Sequence, residues 1–274
     1  MKYLISGGQG FLGSYLATNL SNSGHVVKTI GRSKENDIVV DLSQQSFKVQ
    51  SNFDYIIHTA SIVHNELHNQ SFSSPIIMTD LQITENFLKS ISEIKFKKFI
   101  FLSSVSVYGL NGGTQIDINQ STLPLSGYGL SKLINEKIIG KSLNNEKLLI
   151  LRLPLVNGPN AKGNIKKAKE GLIRGKMILF KHNKALKSIL EISDLFNFIE
   201  NYSQKFNGIH HIKSYDVEFN KFVSSHSSKK PILIPFWAIK WCIKVCLIFK
   251  LKKLHQIILK STLSLTFKNT VEWN

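Results

Sequence analysis

The feature that most restricts the fold of this chain is the run Ser6-Gly7-Gly8-Gln9-Gly10-Phe11-Leu12-Gly13-Ser14. It follows a strand-like apolar run, Lys2–Ser6, and opens an amphipathic helical pattern over Phe11–Ser21. Glycines at these spacings serve three needs: one permits a tight turn, one lets backbone N–H groups approach a ligand, and one lets helix and strand pack closely. Gly7, Gly10 and Gly13 fit a G-x-x-G-x-x-G frame, while Gly8, Gly10 and Gly13 fit G-x-G-x-x-G. A helix that starts from such a turn favours an anion through its free N–H groups and its dipole. The motif therefore predicts a dinucleotide whose pyrophosphate lies against Gly7, Gly10, Phe11, Leu12 and Gly13.

The pattern continues in kind. Strand-like runs at His25–Ile30, Tyr55–His58, Phe99–Ser103 and Leu148–Leu153 alternate with helical patterns that include Asp80–Ile91 and Tyr128–Lys141. Continuous apolar strands separated by helices predict an α/β fold: a parallel sheet covered on both faces, of the Rossmann-type doubly wound topology. Residues 1–153 are expected to form an NAD(P)-binding domain. After Arg152 the periodicity weakens, and 154–274 are expected to form a smaller substrate-binding region interleaved with the sheet domain.

A hydrophobic fraction of 42% and a mean hydropathy of -0.03 exclude general disorder over 274 residues. The net charge of +17, from 35 Lys+Arg against 18 Asp+Glu, suits polyanionic partners. The excess is Lys scattered among Asn and Ile, and no nucleic-acid-binding motif accompanies it, so nucleic acid is not an expected partner. Cys242 and Cys246 lie four apart in one apolar stretch; on a helix they share a face, which predicts buried thiols rather than a disulfide or a metal site. Met1–Gly7 enters a strand at once, leaving no room for a signal peptide, and a cytoplasmic protein is expected. The segment from Pro235 to Lys253 is highly apolar but interrupted by Lys240, Lys244 and Lys250, which falls short of a spanning helix. It reads either as a helix packed on the substrate region with lysine stems at its edge, or as a peripheral contact with anionic lipid.

Residues that carry chemistry gather at the strand ends. After the second strand stands Ile30-Gly31-Arg32-Ser33, with no acid to bond the ribose hydroxyls of NAD; Arg32 suits the 2'-phosphate of NADP. Asp41-Leu42 is placed to flank the adenine, and Thr59, Ala60 and Ser61 to line the cofactor, with His58 a structural histidine. Tyr128 and Lys132 lie four apart at a helix start, so phenol and ammonium share a face. The lysine charge is expected to lower the phenol pKa, which would let Tyr128 exchange a proton with a substrate hydroxyl. Ser104, at the end of the apolar strand Phe99–Ser103, is placed to orient the reacting oxygen.

Five ordered motifs then stand in line: the glycine turn, Asp41-Leu42, His58-Thr59-Ala60, Ser103-Ser104-x-x-Val107-Tyr108-Gly109 and Tyr128-x-x-x-Lys132. In this order they resemble the extended short-chain dehydrogenase/reductases, which include the NAD-dependent epimerase/dehydratase family. The resemblance implies a Ser104–Tyr128–Lys132 catalytic set, with Ser106 and Asn164 among the substrate contacts. Leu151–Pro159, Gly163-Asn164, Ile189–Leu195 and Leu263–Phe267 resemble a polysaccharide-biosynthesis branch of epimerases and 4-keto-sugar reductases, in which Asp194 would be structural. Ser104-Val105-Ser106 stands where dehydratases carry Thr-Asp-Glu, so dehydration is not expected. Asp80 replaces a usual Asn, and Asn157 a usual Tyr.

The resemblance thus implies chemistry at C4 of a nucleotide-activated sugar. Three readings follow: reduction of a 4-keto sugar by NADPH, 4-epimerisation with tightly held NAD, and a non-catalytic NADP-binding sensor or assembly subunit. Relatives also dimerise through two helices, and the patterns at 80–91 and 128–141 are the corresponding pair for a homodimer.

Overall fold

The structure, a computed structural model, describes residues 1–62, 74–159, 161, 178–225, 231–235, 237–249 and 251–272. Its strands in chain order are β1 (Lys2–Ser6), β2 (Val26–Gly31), β3 (Ile38–Val39), β4 (Tyr55–His58), β5 (Lys98–Ser104), β6 (Gly113–Ile116) and β7 (Leu148–Leu153). Beyond them come β8 (Leu155–Asn157), β9 (Ile178–Phe180), β10 (Leu186–Glu191), β11 (Gly208–His211), β12 (Tyr215–Glu218), β13 (Ile232–Ile234) and β14 (Leu265–Phe267). The described helices are α1 (Phe11–Asn22), α2 (Pro75–Ser90), α3 (Gly127–Ser142), α4 (Ile192–Asn201), α5 (Phe219–Ser225), α6 (Ala238–Ile248) and α7 (Lys252–Thr262).

Seven strands form one parallel sheet in the order β11-β7-β5-β4-β1-β2-β3. Alternation along the strands makes two cores. Tyr3 and Ile5 of β1 face Leu16 and Leu20 of α1 and Phe198 and Ile199 of α4, while Leu4 faces the opposite core with Phe87 of α2 and Ile139 of α3. Helices thus cover both faces, as continuous apolar strands require. The strand order reverses between β1 and β4, and a ligand crevice opens at the carboxyl ends of strands flanking such a reversal.

One detail departs from the sequence pattern. Helix α2 starts at Pro75, five residues ahead of the expected Asp80, because Ser74 accepts the Ile76 N–H at 3.4 Å and Pro75 fixes the first helical φ. Residues beyond 153 enter the large sheet, where β11 pairs with β7. A second sheet, β12-β10-β14-β6 with β8 beside β10, stands apart, and β9 pairs with β13.

Candidate active site

The glycine turn closes directly on the end of β4. Gly7 has φ +75, and a Cβ there would lie 2.7 Å from Thr59 Oγ1; a Cβ on Gly13 would lie 2.2 Å from the Gly7 carbonyl oxygen. Gly7–Gly10–Gly13 is therefore the frame the backbone uses, and Gly8 packs instead against Thr29 of β2. Helix α1 begins at Gly10 with no side chain capping its first turn, so its leading N–H groups stay free for an anion.

Ser6 ties this turn to the neighbouring strand. Its hydroxyl oxygen accepts the N–H groups of Thr59 and Ala60, both at 3.2 Å, and lies 2.6 Å from His58 Nδ1. The serine proton then goes to Nδ1, and Nε2–H donates to Thr84 Oγ1 at 3.0 Å. Burial pushes the His58 pKa down to about 3, with the Lys132 charge adding to it, so the ring stays neutral and structural. Ser6 stands in the sequence at the strand end beside the first glycine, but its partners at the end of β4 are 52 or more residues away and leave no local signal.

A cleft of about 190 Å³ lies at the reversal of strand order, lined by Leu12, Thr59, Ser61, Ser104, Tyr128, Lys132 and Pro154, among others. It brings together the glycine helix, the β4 end and the three residues named for catalysis. Ser126 caps α3 by accepting the Gly129 N–H at 3.2 Å, which sets Tyr128 in the first turn. Ser104 hydrogen-bonds the Tyr128 phenol. The Ser104 hydroxyl also lies 3.2 Å from that of Ser106, and its oxygen accepts the Ser106 N–H. Lys132 is 4% exposed, with Nζ 5.1 Å from the centre of the Phe101 ring and 5.9 Å from that of Tyr128.

The electrostatics correct one expectation. Burial pushes the Tyr128 phenol up to about 12; Ser104 opposes that rise, and the charge of Asp80 adds to it. The expected fall caused by Lys132 is absent: desolvation is the largest influence on the phenol, and the charge that acts on it is that of Asp80. Burial also lowers the Lys132 pKa, against the pull of Asp80 and Glu136.

Asp80 and Glu136 carry more of the site than their places in the sequence suggest. Asp80 is 1% exposed: one oxygen accepts the Ser61 hydroxyl at 2.7 Å and the Ile62 N–H at 2.6 Å. The other accepts the Ser131 hydroxyl and, at 3.1 Å, the Asn135 amide. A single carboxylate thus joins the loop after β4 to the helix turn that carries Lys132. Glu136 accepts Arg152 through both oxygens, at 3.0 and 2.7 Å, and the Ser103 hydroxyl at 2.5 Å. Arg152 in turn donates to the Tyr108 hydroxyl at 2.8 Å. The spacing offered a signal, since Glu136 lies one turn beyond Lys132 on the buried face of α3.

The remaining predicted contacts are spread out. Arg32 is exposed just after β2. Asp41 accepts the hydroxyl and N–H of Ser43 at 2.7 and 2.9 Å, and these bonds, with Arg32 contributing, hold its carboxyl below the ordinary range. Leu42 is 4% exposed and its side chain belongs to the core with Phe87 and Ile139, while its carbonyl accepts the Asn86 amide at 2.8 Å. Asn164 lies outside the described residues. Asn157 donates to Glu191, joining β8 to β10, and Asp194 sits in the first turn of α4, where negative charge suits the helix dipole.

These features fit a dinucleotide: a cradle that a single Cβ would fill, an uncapped helix start, and a crevice at the strand reversal. The model of the NAD dependent epimerase/dehydratase family matches residues 3–215. The chain belongs to that family. It is 28% identical over 187 residues to an uncharacterized UDP-glucose epimerase of Bacillus subtilis, covering 58% of each chain. It is 27% identical over 271 residues to a UDP-N-acetyl-alpha-D-glucosaminuronate decarboxylase of Bacillus cytotoxicus, covering 86% of this chain and 84% of that one. The fold is shared with the UDP-glucuronic acid 4-epimerase of Bacillus cereus solved with UDP-glucuronic acid and NAD: TM-score 0.68, 21% identity, 86% of both chains. The chain spans about half the length of most curated relatives it matches.

Proposed function

We propose that this protein carries out redox chemistry at C4 of a nucleotide-activated hexose, with 4-epimerisation as the overall reaction. The observation that carries this reading is the convergence of Ser104, Tyr128 and Lys132 on one cleft beside Leu12 and Thr59. Relatives named as UDP-sugar 4-epimerases support C4 as the reacting carbon. Gly7, Gly10 and Gly13 with the start of α1 would hold the pyrophosphate, and Lys132 the nicotinamide ribose. When bound, the dinucleotide supplies the hydride acceptor and donor.

The residues of this chain do the rest. Tyr128 takes the proton of the C4 hydroxyl as the C4–H bond breaks, leaving a 4-keto sugar. Ser104 holds the carbonyl oxygen against Tyr128. After the sugar presents its other face and the C–H bond re-forms, Tyr128 returns the proton. Burial disfavours the phenolate, so Tyr128 would act as a base only with a further positive charge beside it, which a bound oxidised nicotinamide would supply.

A second reading, net reduction of a 4-keto sugar by NADPH in making surface-polysaccharide precursors, draws on Arg32. That side chain is exposed at the β2 end, while Asp37, a nearby carboxylate, is committed to the N–H and hydroxyl of Thr29, both at 2.8 Å. Mass spectrometry of nucleotide released on denaturation, with NADPH and NADH titrations, separates the two. Tightly held NAD+ supports the epimerase, and exchangeable NADPH supports the reductase. Binding of neither would sink both.

A further inference from the structure

The stretch 219–271 contains ten lysines and neither Asp nor Glu, so it supplies ten of the seventeen net positive charges of the chain. Within it, α6 is apolar on two opposite sides. Ile239 and Cys246 are 8% and 2% exposed and pack with Phe180 of β9 and Ile258 of α7, which accounts for one side. Trp237, just ahead of the helix, is 72% exposed, Trp241 68% and Ile248 63%. At about 100° per residue these three positions and Lys244, also exposed, share one stripe opposite the buried side. Phe249 and, on the neighbouring β13, Leu233 are exposed as well. Leaving two tryptophans and a phenylalanine in water is costly, and their position beside lysines selects what would cover them.

We propose that this face docks the protein on an anionic phospholipid surface. Tryptophan is the side chain best suited to the headgroup boundary, with an apolar ring to bury and an N–H to leave wet. Lysines around it draw the helix to negative headgroups, and the absence of acids removes the repulsion that would oppose them. A second copy of the chain meets the opposite condition, since two such faces would bring like charges together. Among the described residues no helix is long and apolar enough to cross a membrane, so the contact is peripheral. The proposal rests on this surface alone and stands apart from the chemistry of the cleft.

The test is co-sedimentation of the full chain with vesicles of phosphatidylcholine plus phosphatidylglycerol, and with phosphatidylcholine alone, at low and high salt. Binding is expected to the anionic vesicles, to fall with salt, and to be weaker by about tenfold or more on neutral ones. A Trp237→Ser/Trp241→Ser variant is expected to lose about tenfold or more in partitioning, and Lys244→Glu several-fold. Both tryptophans are mostly exposed, so circular dichroism should match the parent. Quenching of the parent's tryptophan emission by brominated lipid provides a readout that needs no variant. Failure to bind anionic vesicles, or equal binding by parent and double variant, would overturn the proposal. So would a dimer in sedimentation velocity that Trp241→Ser dissolves, without vesicle binding.

Discussion

At Tyr128, burial and hydrogen bonding pull the phenol in opposite directions. Burial raises its pKa to about 12 and Ser104 works against that, so the proton stays on the phenol until a positive charge arrives. Tyr128→Phe keeps the packing and removes the proposed proton carrier. Sugar turnover is expected to fall about 10²- to 10⁴-fold, with nucleotide binding by titration unchanged. Asp80 invites the complementary experiment. Removing its carboxylate strands the Ile62 N–H, two hydroxyls and an amide in a buried place. Asp80→Ala is expected to cost about 3 kcal/mol in urea unfolding, with Asp80→Glu worse than a surface control because the longer side chain misplaces its oxygens. Asp80 is legible as a departure from the family's Asn, but its four partners come from two segments, the loop after β4 and helix α3, that only folding brings to it.

Among the elements, α1 is placed by contact rather than by propensity. The Gly13 Cα sits so close to the Gly7 carbonyl that one methyl group would force strand and helix apart. Gly13→Ala is expected to abolish measurable dinucleotide binding by calorimetric titration and to cost about 1–3 kcal/mol of stability. Helix α3 is held from its buried side by the Glu136–Arg152 pair, whose side chains are 3% and 7% exposed. Glu136→Gln leaves the guanidinium without its counter-charge, and a loss of about 3–5 kcal/mol in denaturant unfolding is expected. The helical period of α3 was readable from the sequence. Its buried polar face was not, because a pattern of Ser131, Lys132, Asn135 and Glu136 looks like a solvated face until partners on β5, β7 and α2 are known.

For the whole molecule, two buried histidines set an acid limit. His58 is pushed down to about 3 and His211 to about 4, in both cases chiefly by burial. Their unfolded pKa values are near 6.5, so below that pH the unfolded chain takes up protons that the folded chain refuses, and folding stability falls as pH drops. Each histidine is expected to remove about 2 kcal/mol between pH 7 and pH 5, with the loss levelling off once pH passes below the folded values. Urea midpoints across this range check it; a flat profile would contradict the two assignments. His211 lies on β11 and approaches the Tyr108 hydroxyl at 2.7 Å, so its protonation disturbs the contact between β11 and the turn after β5.

The sequence by itself determined the parallel sheet, its glycine turn and the spacing that puts Tyr128 and Lys132 on one helix face. Each of these is written in local spacing: a period of two or of about 3.6, a glycine where a Cβ has no room, a lysine four residues after a tyrosine. Tertiary structure alone decided that Gly8 stands outside the cradle, that Asp80 and Glu136 brace the two sides of the site, and that β11 completes the sheet. It also decided that burial raises the Tyr128 pKa, and that Trp237 and Trp241 face outward. These depend on which distant segments meet and on how much water their meeting excludes, and neither leaves a periodic trace in the order of residues.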